Sequence, residues 1–153
     1  MKLSRLLFKE VNDLIEIIGY HRSNNPDLTI HDISTDPRET RQSGSSNSKY
    51  VGFYITMPKI TDLKSVEDLP SRIVANPEDG KHYGDYLYKV VLEVLRGNIF
   101  LDKKFLGSTR VSEKDLADKF NKNQFIYVPR GMPTAEGIVL DKNIIKSFEK
   151  IEQ

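Results

Sequence analysis

The chain of 153 residues contains no cysteine, has almost no net charge and lacks a long apolar segment. Without cysteine there is no disulfide, no thiolate metal ligand and no thiol nucleophile. The formal charge of +1, from 23 basic and 22 acidic residues, provides no electrostatic footprint for nucleic acid. No apolar run approaches the roughly 18 residues of a membrane span. These absences exclude a disulfide-rich scaffold and a helical membrane protein, and they do not indicate a nucleic-acid partner.

What the chain does contain is typical of a folded globular protein. Hydrophobic residues make up 38% of the sequence and charged residues 29%, which is unlike a disordered tail. The length predicts a single domain over residues 1–153 with one core. The first ten residues, MKLSRLLFKE, are too charged for a signal peptide. A cytoplasmic protein without a membrane partner is therefore expected.

Three segments predict helices. Leu3–Ile18 carries apolar residues at helical spacing, so residues 1–18 are predicted to form an N-terminal helix that stops at Gly19. A second helical pattern, broken by Pro70, covers Thr61–Asn76, and a turn follows in NPEDGK. The segment VSEKDLADKF predicts a short helix with Ser112 as its N-cap.

Strand patterns are more numerous than helical ones. β-branched and aromatic runs predict strands in IIGYHRS, YVGFYIT, YLYKVVLEVL, IFLD, QFIYVP and EGIVLD, with a turn at Arg96–Asn98. The final segment, KNIIKSFEKI, fits a strand or a short helix. Residues 36–49 have few apolar side chains and predict a mobile loop. The pattern favours an α+β domain with two small packed, mostly antiparallel sheets around a cleft and with peripheral helices.

Three short motifs carry residues that suit chemistry: YHRS, GFYIT and EGIVLD. Taken singly, a histidine at a strand end is ordinarily a structural hydrogen-bonding residue, GFY is ordinarily core, and a glutamate before a strand is ordinarily a solvated charge. In this order and spacing they resemble the His-Tyr-Glu branch of the ADP-ribosyltransferase superfamily, which includes diphtheria-like toxins and poly-ADP-ribose polymerases. The resemblance spans roughly residues 19 to 146.

The resemblance implies NAD as substrate and cleavage of its nicotinamide–ribose bond, by a mono-ADP-ribosyltransferase or an NAD glycohydrolase. Glu136 would stabilise the oxocarbenium-like charge on the ribose. Tyr54 would stack on nicotinamide, and a ring nitrogen of His21 would donate to the adenosine-side ribose. The backbone of Arg22 would hold the nicotinamide amide, and Ser23 would contact the ribose or support the site.

This sequence departs from the family pattern in three places. Arg22 stands where the family has glycine, which allows close approach of the backbone to a ligand. No aromatic residue follows GFYIT closely, so Tyr83 or Tyr86 is the candidate for the second stacking tyrosine. Thr134 replaces the Glu or Gln of arginine- and asparagine-modifying relatives, which disfavours arginine as acceptor. The loop PRGMPTA would then recognise a macromolecular acceptor, expected to be a protein.

Neither a metal nor a single function is fixed by these motifs. The three histidines, His21, His31 and His82, have no metal-ligand spacing. An alternative is a binding or structural protein that kept the fold and lost the chemistry. The N-terminal MKLSRLLFKEV, ordinarily a docking helix, also resembles the leaders that direct internal proteins into phage heads, which would place the chain in a phage particle or host cytoplasm. A third option is an RNA-repair 2′-phosphotransferase relative, which would require arginines around the site.

Overall fold

The computed structural model describes residues 13–33, 35, 52–103, 123–129 and 134–152. Strands make up most of the regular secondary structure in this part of the chain. The strands are β1 (Leu14–Ser23), β2 (Phe53–Met57), β3 (Arg72–Val74), β4 (Tyr86–Leu95), β5 (Ile99–Leu101), β6 (Phe125–Val128), β7 (Ala135–Val139) and β8 (Ile145–Ile151). The helical elements within the described ranges are short 3-10 turns at Ile30–Asp32, Val66–Asp68, Lys81–Tyr83, Arg96–Asn98 and Lys142–Ile144.

All eight strands belong to one sheet with the order β5-β6-β7-β2-β1-β4-β8, and β3 pairs with β1 beside β2. Pairing is antiparallel except between β1 and β3 and between β5 and β6. The described part of the chain is thus a mixed fold with a large open sheet and few helices. The expectation of mostly antiparallel strands is confirmed.

The two halves of this sheet meet at one residue pair. β1 is paired with β4 from Leu14 to Ser23, whereas its register with β2 is the single pair Tyr20 and Thr56. One half is therefore β5-β6-β7-β2, and the other contains β3, β1, β4 and β8. The sequence predicted two separate packed sheets, and that prediction is wrong in this respect, because Tyr20 and Thr56 join the halves into one hydrogen-bonded sheet.

The two faces of the sheet bury apolar surface unequally. The face named here the core face carries a large cluster of buried side chains, including Ile15, Ile17, Ile55, Met57, Val90, Leu92, Val94, Phe125, Tyr127 and Val139. The opposite face carries a smaller cluster of Ile126, Val128 and Ile138, against which Tyr54 packs. Because this second face also carries Glu136, the neighbour of Ala135 and Gly137 on β7, it is named here the Glu136 face.

The predicted helix over residues 1–18 is wrong where it can be compared with the structure. Residues 1–12 lie outside the described ranges, and residues 14–18 form the first half of β1. The apolar residues of this segment fit both a helical and an alternating period. Pairing with β4 over ten residues decides the outcome, because Ile15 and Ile17 then alternate onto the core face.

The helix predicted over Thr61–Asn76 is also wrong. This segment contains a 3-10 turn at Val66–Asp68 and the short strand β3. The backbone carbonyls of Val66 and Leu69 accept hydrogen bonds from the guanidinium of Arg96. A distant side chain thus binds carbonyls that a longer helix would have used for its own ladder.

The predicted strands are confirmed as β1, β2, β4, β5, β6 and β7, and the last segment is resolved as a 3-10 turn followed by β8. The NPEDGK turn is present, with the amide of Asp79 donating to the carbonyl of Asn76 over 3.1 Å. The turn at Arg96–Asn98 does not form a hairpin, because β5 pairs with β6 and not with β4. The Ser112 helix and the 36–49 loop lie outside the described residues.

Arg96, directly after β4, makes several hydrogen bonds through its buried guanidinium. It is 6% exposed, and its guanidinium contacts both carboxylate oxygens of Asp13 at 2.8 and 2.9 Å. The hydrogen bond from Arg96 lowers the pKa of Asp13 below its ordinary value. Through these contacts Arg96 connects the start of β1, the Val66–Asp68 turn and the end of β4.

We expect Arg96→Met to destabilise the fold by about 3 kcal/mol, because it leaves Asp13 and two backbone carbonyls without their donor. Arg72→Met is the matched control. Arg72 also pairs with a carboxylate, that of Glu16, but its side chain is 66% exposed, and its loss is expected to cost less than about 1 kcal/mol. Urea unfolding of both variants measures the difference, and equal costs would contradict the importance of the Arg96 contacts.

Candidate active site

Glu136 lies in the middle of the sheet. On β7 it is in register with Thr56 of β2 and Val128 of β6, so its side chain has strands on both sides. The residue is 8% exposed, and its Oε2 atom is buried and accepts no hydrogen bond from the described residues. Burial raises the pKa of the Glu136 carboxyl to about 7. A carboxyl in this position is half protonated at neutral pH and has capacity to accept a hydrogen bond from a ligand.

The turn before β4 places Tyr83 next to Glu136. Gly80 caps the Lys81–Tyr83 turn with a φ of +71°, and the amide of Tyr83 donates to the Gly80 carbonyl over 3.0 Å. A Cβ atom at Gly80 would lie 3.0 Å from both the Thr56 hydroxyl and the Tyr83 ring. Both the backbone conformation and the close packing therefore require glycine.

Tyr83 and Glu136 interact electrostatically. Burial raises the pKa of the Tyr83 phenol, the Glu136 carboxylate raises it further, and the nearby Thr134 side chain opposes the increase. The residues Thr56, Gly80, Tyr83, Thr134 and Glu136 are named here the Glu136 cluster. The cluster combines a buried carboxyl, an aromatic ring and hydroxyl groups on one face of the sheet.

His21 lies outside this cluster, on the core face. Its ring is 4.4 Å from the ring of Phe53, centroid to centroid, and its Nδ1 is 2.8 Å from the carbonyl oxygen of Tyr54. Because a carbonyl only accepts, Nδ1 carries the proton and donates. Burial lowers the pKa of His21, so the ring is neutral and Nε2 is an acceptor. The sequence predicted that a ring N–H of His21 donates to a ribose. In the structure the Nδ1 proton is donated to the Tyr54 carbonyl.

The structure brings His21 to the backbone of Tyr54 but not to its side chain. Phe53 and Tyr54 are consecutive residues of β2 and point to opposite faces of the sheet. Phe53 contacts His21, whereas Tyr54 packs against the smaller cluster on the Glu136 face. The prediction that the side chains of His21 and Tyr54 lie on the same side is therefore wrong, because it ignored the pleat of β2.

The remaining predicted site residues divide between the faces. Ser23 is opposite Tyr86 in the β1–β4 register, and its Oγ accepts from the amide of Asn25 over 3.0 Å. The ring of Tyr86 lies 5.2 Å from Nζ of Lys150. Both residues share the core face with His21, since all three continue the every-second-residue series of core-face positions on β1 and β4. Of the two candidate stacking tyrosines, Tyr83 is the one beside Glu136.

Arg22 lies on the Glu136 face of β1. Its Nη2 donates to the carbonyl of Pro77 over 2.8 Å, which ties the end of β1 to the turn that precedes Tyr83. Its Nε is buried and donates to no acceptor among the described residues. The guanidinium that replaces the glycine of the family pattern thus contacts the neighbouring turn.

Sequence reasoning missed Thr56 and Gly80 as parts of the site. Thr56 is the last residue of the GFYIT motif, and strand alternation places it on the face of Tyr54. Gly80 is the glycine of the NPEDGK turn, and its position under Tyr83 depends on tertiary packing. Of the expected acceptor loop PRGMPTA, residues 130–133 lie outside the described ranges.

Comparison with protein-family models, curated proteins and solved structures finds no match to this chain. Among the described residues, no helix has the length and apolar character needed to cross a membrane. The described ranges also contain no group of three or more His, Asp or Glu side chains arranged to hold a metal ion.

The burial of Glu136 predicts a pH-dependent stability difference. Between pH 4.5 and about 7 the folded carboxyl keeps a proton that the unfolded carboxyl loses, so the free energy of unfolding falls as the pH rises. The shift corresponds to about 3 kcal/mol. We therefore expect the free energy of unfolding of Glu136→Gln, relative to that of the wild type, to rise by about 3 kcal/mol between pH 4 and pH 8. Urea unfolding at both pH values measures this gain.

The control is Glu149→Gln, which changes an exposed glutamate on β8. It should show no comparable change with pH. A constant difference between wild type and Glu136→Gln at pH 4 and pH 8 would contradict the buried state of this carboxyl.

Proposed function

We propose that this protein is an NAD-dependent mono-ADP-ribosyltransferase or NAD glycohydrolase that cleaves the nicotinamide–ribose bond. The observation that supports it best is the Glu136 carboxyl, buried in the sheet beside Tyr83 with Oε2 free of hydrogen bonds from the described residues. The motif order YHRS, GFYIT and EGIVLD adds the resemblance to the His-Tyr-Glu enzymes. The proposal thus rests on a buried carboxyl oxygen without a hydrogen bond from the described residues, and on the sequence pattern in which Glu136 stands.

The chemistry gives Glu136 a defined task. The bond between ribose C1′ and the nicotinamide nitrogen breaks, and its electron pair leaves with neutral nicotinamide. The ribose develops positive charge, which a carboxylate in a site of low dielectric stabilises strongly. A hydroxyl of water or of an acceptor then bonds to C1′ and releases a proton. Only the ionised form of Glu136 provides this stabilisation.

The role of stacking on nicotinamide, which the resemblance gave to Tyr54, is assigned here to Tyr83, which interacts with the Glu136 carboxyl. A planar ring there suits stacking on nicotinamide while the bond lengthens. Tyr54 shares the Glu136 face and packs against Ile126, Val128 and Ile138, so it is assigned the second aromatic contact. His21 lies on the opposite face, where it holds the end of β1 to β2 through the Tyr54 carbonyl, so its ring is assigned no contact with NAD.

The acceptor of the ADP-ribosyl group is proposed to be a protein. Thr134 occupies the position at which arginine-modifying relatives have an acidic or amide side chain, which disfavours arginine. Its hydroxyl oxygen is buried near Tyr83 and makes no hydrogen bond with the described residues. The proposed location is the cytoplasm, or a phage particle and its host if the chain is viral.

A second candidate is a catalytically inactive binding or structural protein with the same arrangement. The observation that favours it is the contact of Arg22 with Pro77, because a side chain occupies the strand position at which the family pattern has glycine. In this case the Glu136 cluster would bind a ligand without turnover.

We expect Glu136→Gln to reduce nicotinamide release about 100- to 1000-fold and to leave NAD binding nearly unchanged. The carboxylate acts on charge that develops only in the transition state, so its loss affects the rate. Tyr83→Ala should weaken both binding and rate, since stacking is present in both states. Release of free nicotinamide and calorimetric titration with NAD measure the two effects, with Glu149→Gln as the exposed control.

Equal nicotinamide release by wild type and Glu136→Gln would reject this role for the carboxylate. NAD binding by the wild type without release would favour the inactive binding protein.

The turnover should depend on pH in the direction set by Glu136. Because the ionised carboxyl is the active form and burial raises its pKa to about 7, turnover at low substrate should rise as the pH increases from 6 to 8. Rates of nicotinamide release across this range test the expectation. A rate that falls over the same range would mean that the protonated carboxyl is the active form.

A further inference from the structure

The segment from Pro77 to Gly84 contributes Gly80 and Tyr83 to the Glu136 cluster and contacts β1 at both ends. At one end Arg22 donates to the Pro77 carbonyl over 2.8 Å. At the other, Gly84 packs on the backbone of Ser23, where a Cβ atom would lie 2.7 Å from the Ser23 nitrogen. Tyr83 stands between these attachments. We name residues 77–84 the Tyr83 turn.

The two attachments differ in kind. The contact between Gly84 and Ser23 is close backbone packing and depends on the absence of a side chain. The contact between Arg22 and Pro77 is a charged hydrogen bond made by a long side chain. Glu78, the next residue of the turn, is near enough that Arg22, after Lys81, contributes to lowering the pKa of its carboxyl. The guanidinium therefore interacts with the turn through both a carbonyl and a carboxylate.

The middle of the turn holds the ring of Tyr83 in place. Gly80 packs against the hydroxyl of Thr56 and the ring of Tyr83, and Thr56 is the direct cross-strand neighbour of Glu136. Because Gly80 comes three residues after Pro77 in the same turn, we expect a change in the position of Pro77 to shift Gly80. The distance between Tyr83 and Glu136 thus depends on where the turn is fixed.

We propose that Arg22 is a positioning residue, which fixes the Tyr83 turn and thereby holds Tyr83 against Glu136. Arg22 itself contacts the turn and acts on the site only through Tyr83. Where the family pattern has a glycine, this chain has a side chain with a separate structural task. The inference rests on the proposed function for its effect on NAD, but the placement of Tyr83 can be measured without any ligand.

The test replaces Arg22 by methionine, which keeps an unbranched apolar stem and removes all donors. The direct readout is the pKa of Tyr83 in protein labelled with ¹³C at the tyrosine ζ carbon, followed by NMR. Tyr83→Phe identifies the signal among the seven tyrosines. In the wild type, burial and the Glu136 carboxylate raise this pKa, and in Arg22→Met it should fall toward the ordinary value of 10.0. A structural change elsewhere would not move it.

Arg72→Met is the matched control, because Arg72 also pairs with a residue of β1 but lies away from the turn. It should leave the Tyr83 signal unchanged. Arg22→Lys keeps the charge and one donor and should give an intermediate pKa, which also provides a test if Arg22→Met does not fold. An unchanged Tyr83 pKa in the Arg22 variants, or an equal change in Arg72→Met, would overturn the proposal.

NAD provides the second readout. Loss of one charged hydrogen bond that positions the stacking ring should weaken NAD binding about tenfold in Arg22→Met. If the wild type neither binds NAD nor releases nicotinamide, the proposed function fails while the Tyr83 titration still decides the role of Arg22. If NAD is bound and cleaved but the Tyr83 pKa does not respond to Arg22, the positioning role fails and the function stands.

Discussion

The backbone pairing of Tyr20 with Thr56 holds the two halves of the sheet together. β1 pairs with β4 over ten residues, whereas its register with β2 is limited to this pair. Because strand alternation runs through the pair, Tyr20, Thr56 and Glu136 share one face and His21 falls on the other. Beyond the pair, the His21 side chain donates to the Tyr54 carbonyl. The faces of the candidate residues on β1, β2 and β7 therefore follow from this register.

The strands were predictable from sequence because β-branched and aromatic residues mark them locally, as in YLYKVVLEVL. The errors lie where a distant residue decides the local structure. Ile15 and Ile17 fit a helix or a strand, and pairing with β4 settles the choice. The segment before β3 has helical spacing, yet its carbonyls are bound by Arg96, which comes about 30 residues later. Neither partner is visible in a local window of sequence.

The sequence proposed residue types for the candidate site but not their geometry. The motif order proposed Glu136, and the need for a second aromatic residue proposed Tyr83 or Tyr86, of which the structure places Tyr83 near Glu136. The burial of Glu136 depends on its place between β2 and β6, which sequence spacing does not define. The separation of His21 from the Tyr54 side chain follows from the pleat of β2, since Phe53 takes the position facing His21. Such an outcome requires the register between strands.

Burying the Glu136 carboxyl costs the fold about 3 kcal/mol above pH 7, a large part of the roughly 5–15 kcal/mol that stabilise a typical domain. Its neighbours Val128 and Ile138 are apolar, and the hydroxyl groups of the Glu136 cluster form no hydrogen bond to Oε2. The packing of the described residues thus leaves this buried oxygen without compensation. A ligand that donates to Oε2 or brings positive charge would lower the pKa of the carboxyl and recover part of the cost. Ligand binding and ionisation of Glu136 are then coupled, so such a ligand binds more tightly as the pH rises through 7.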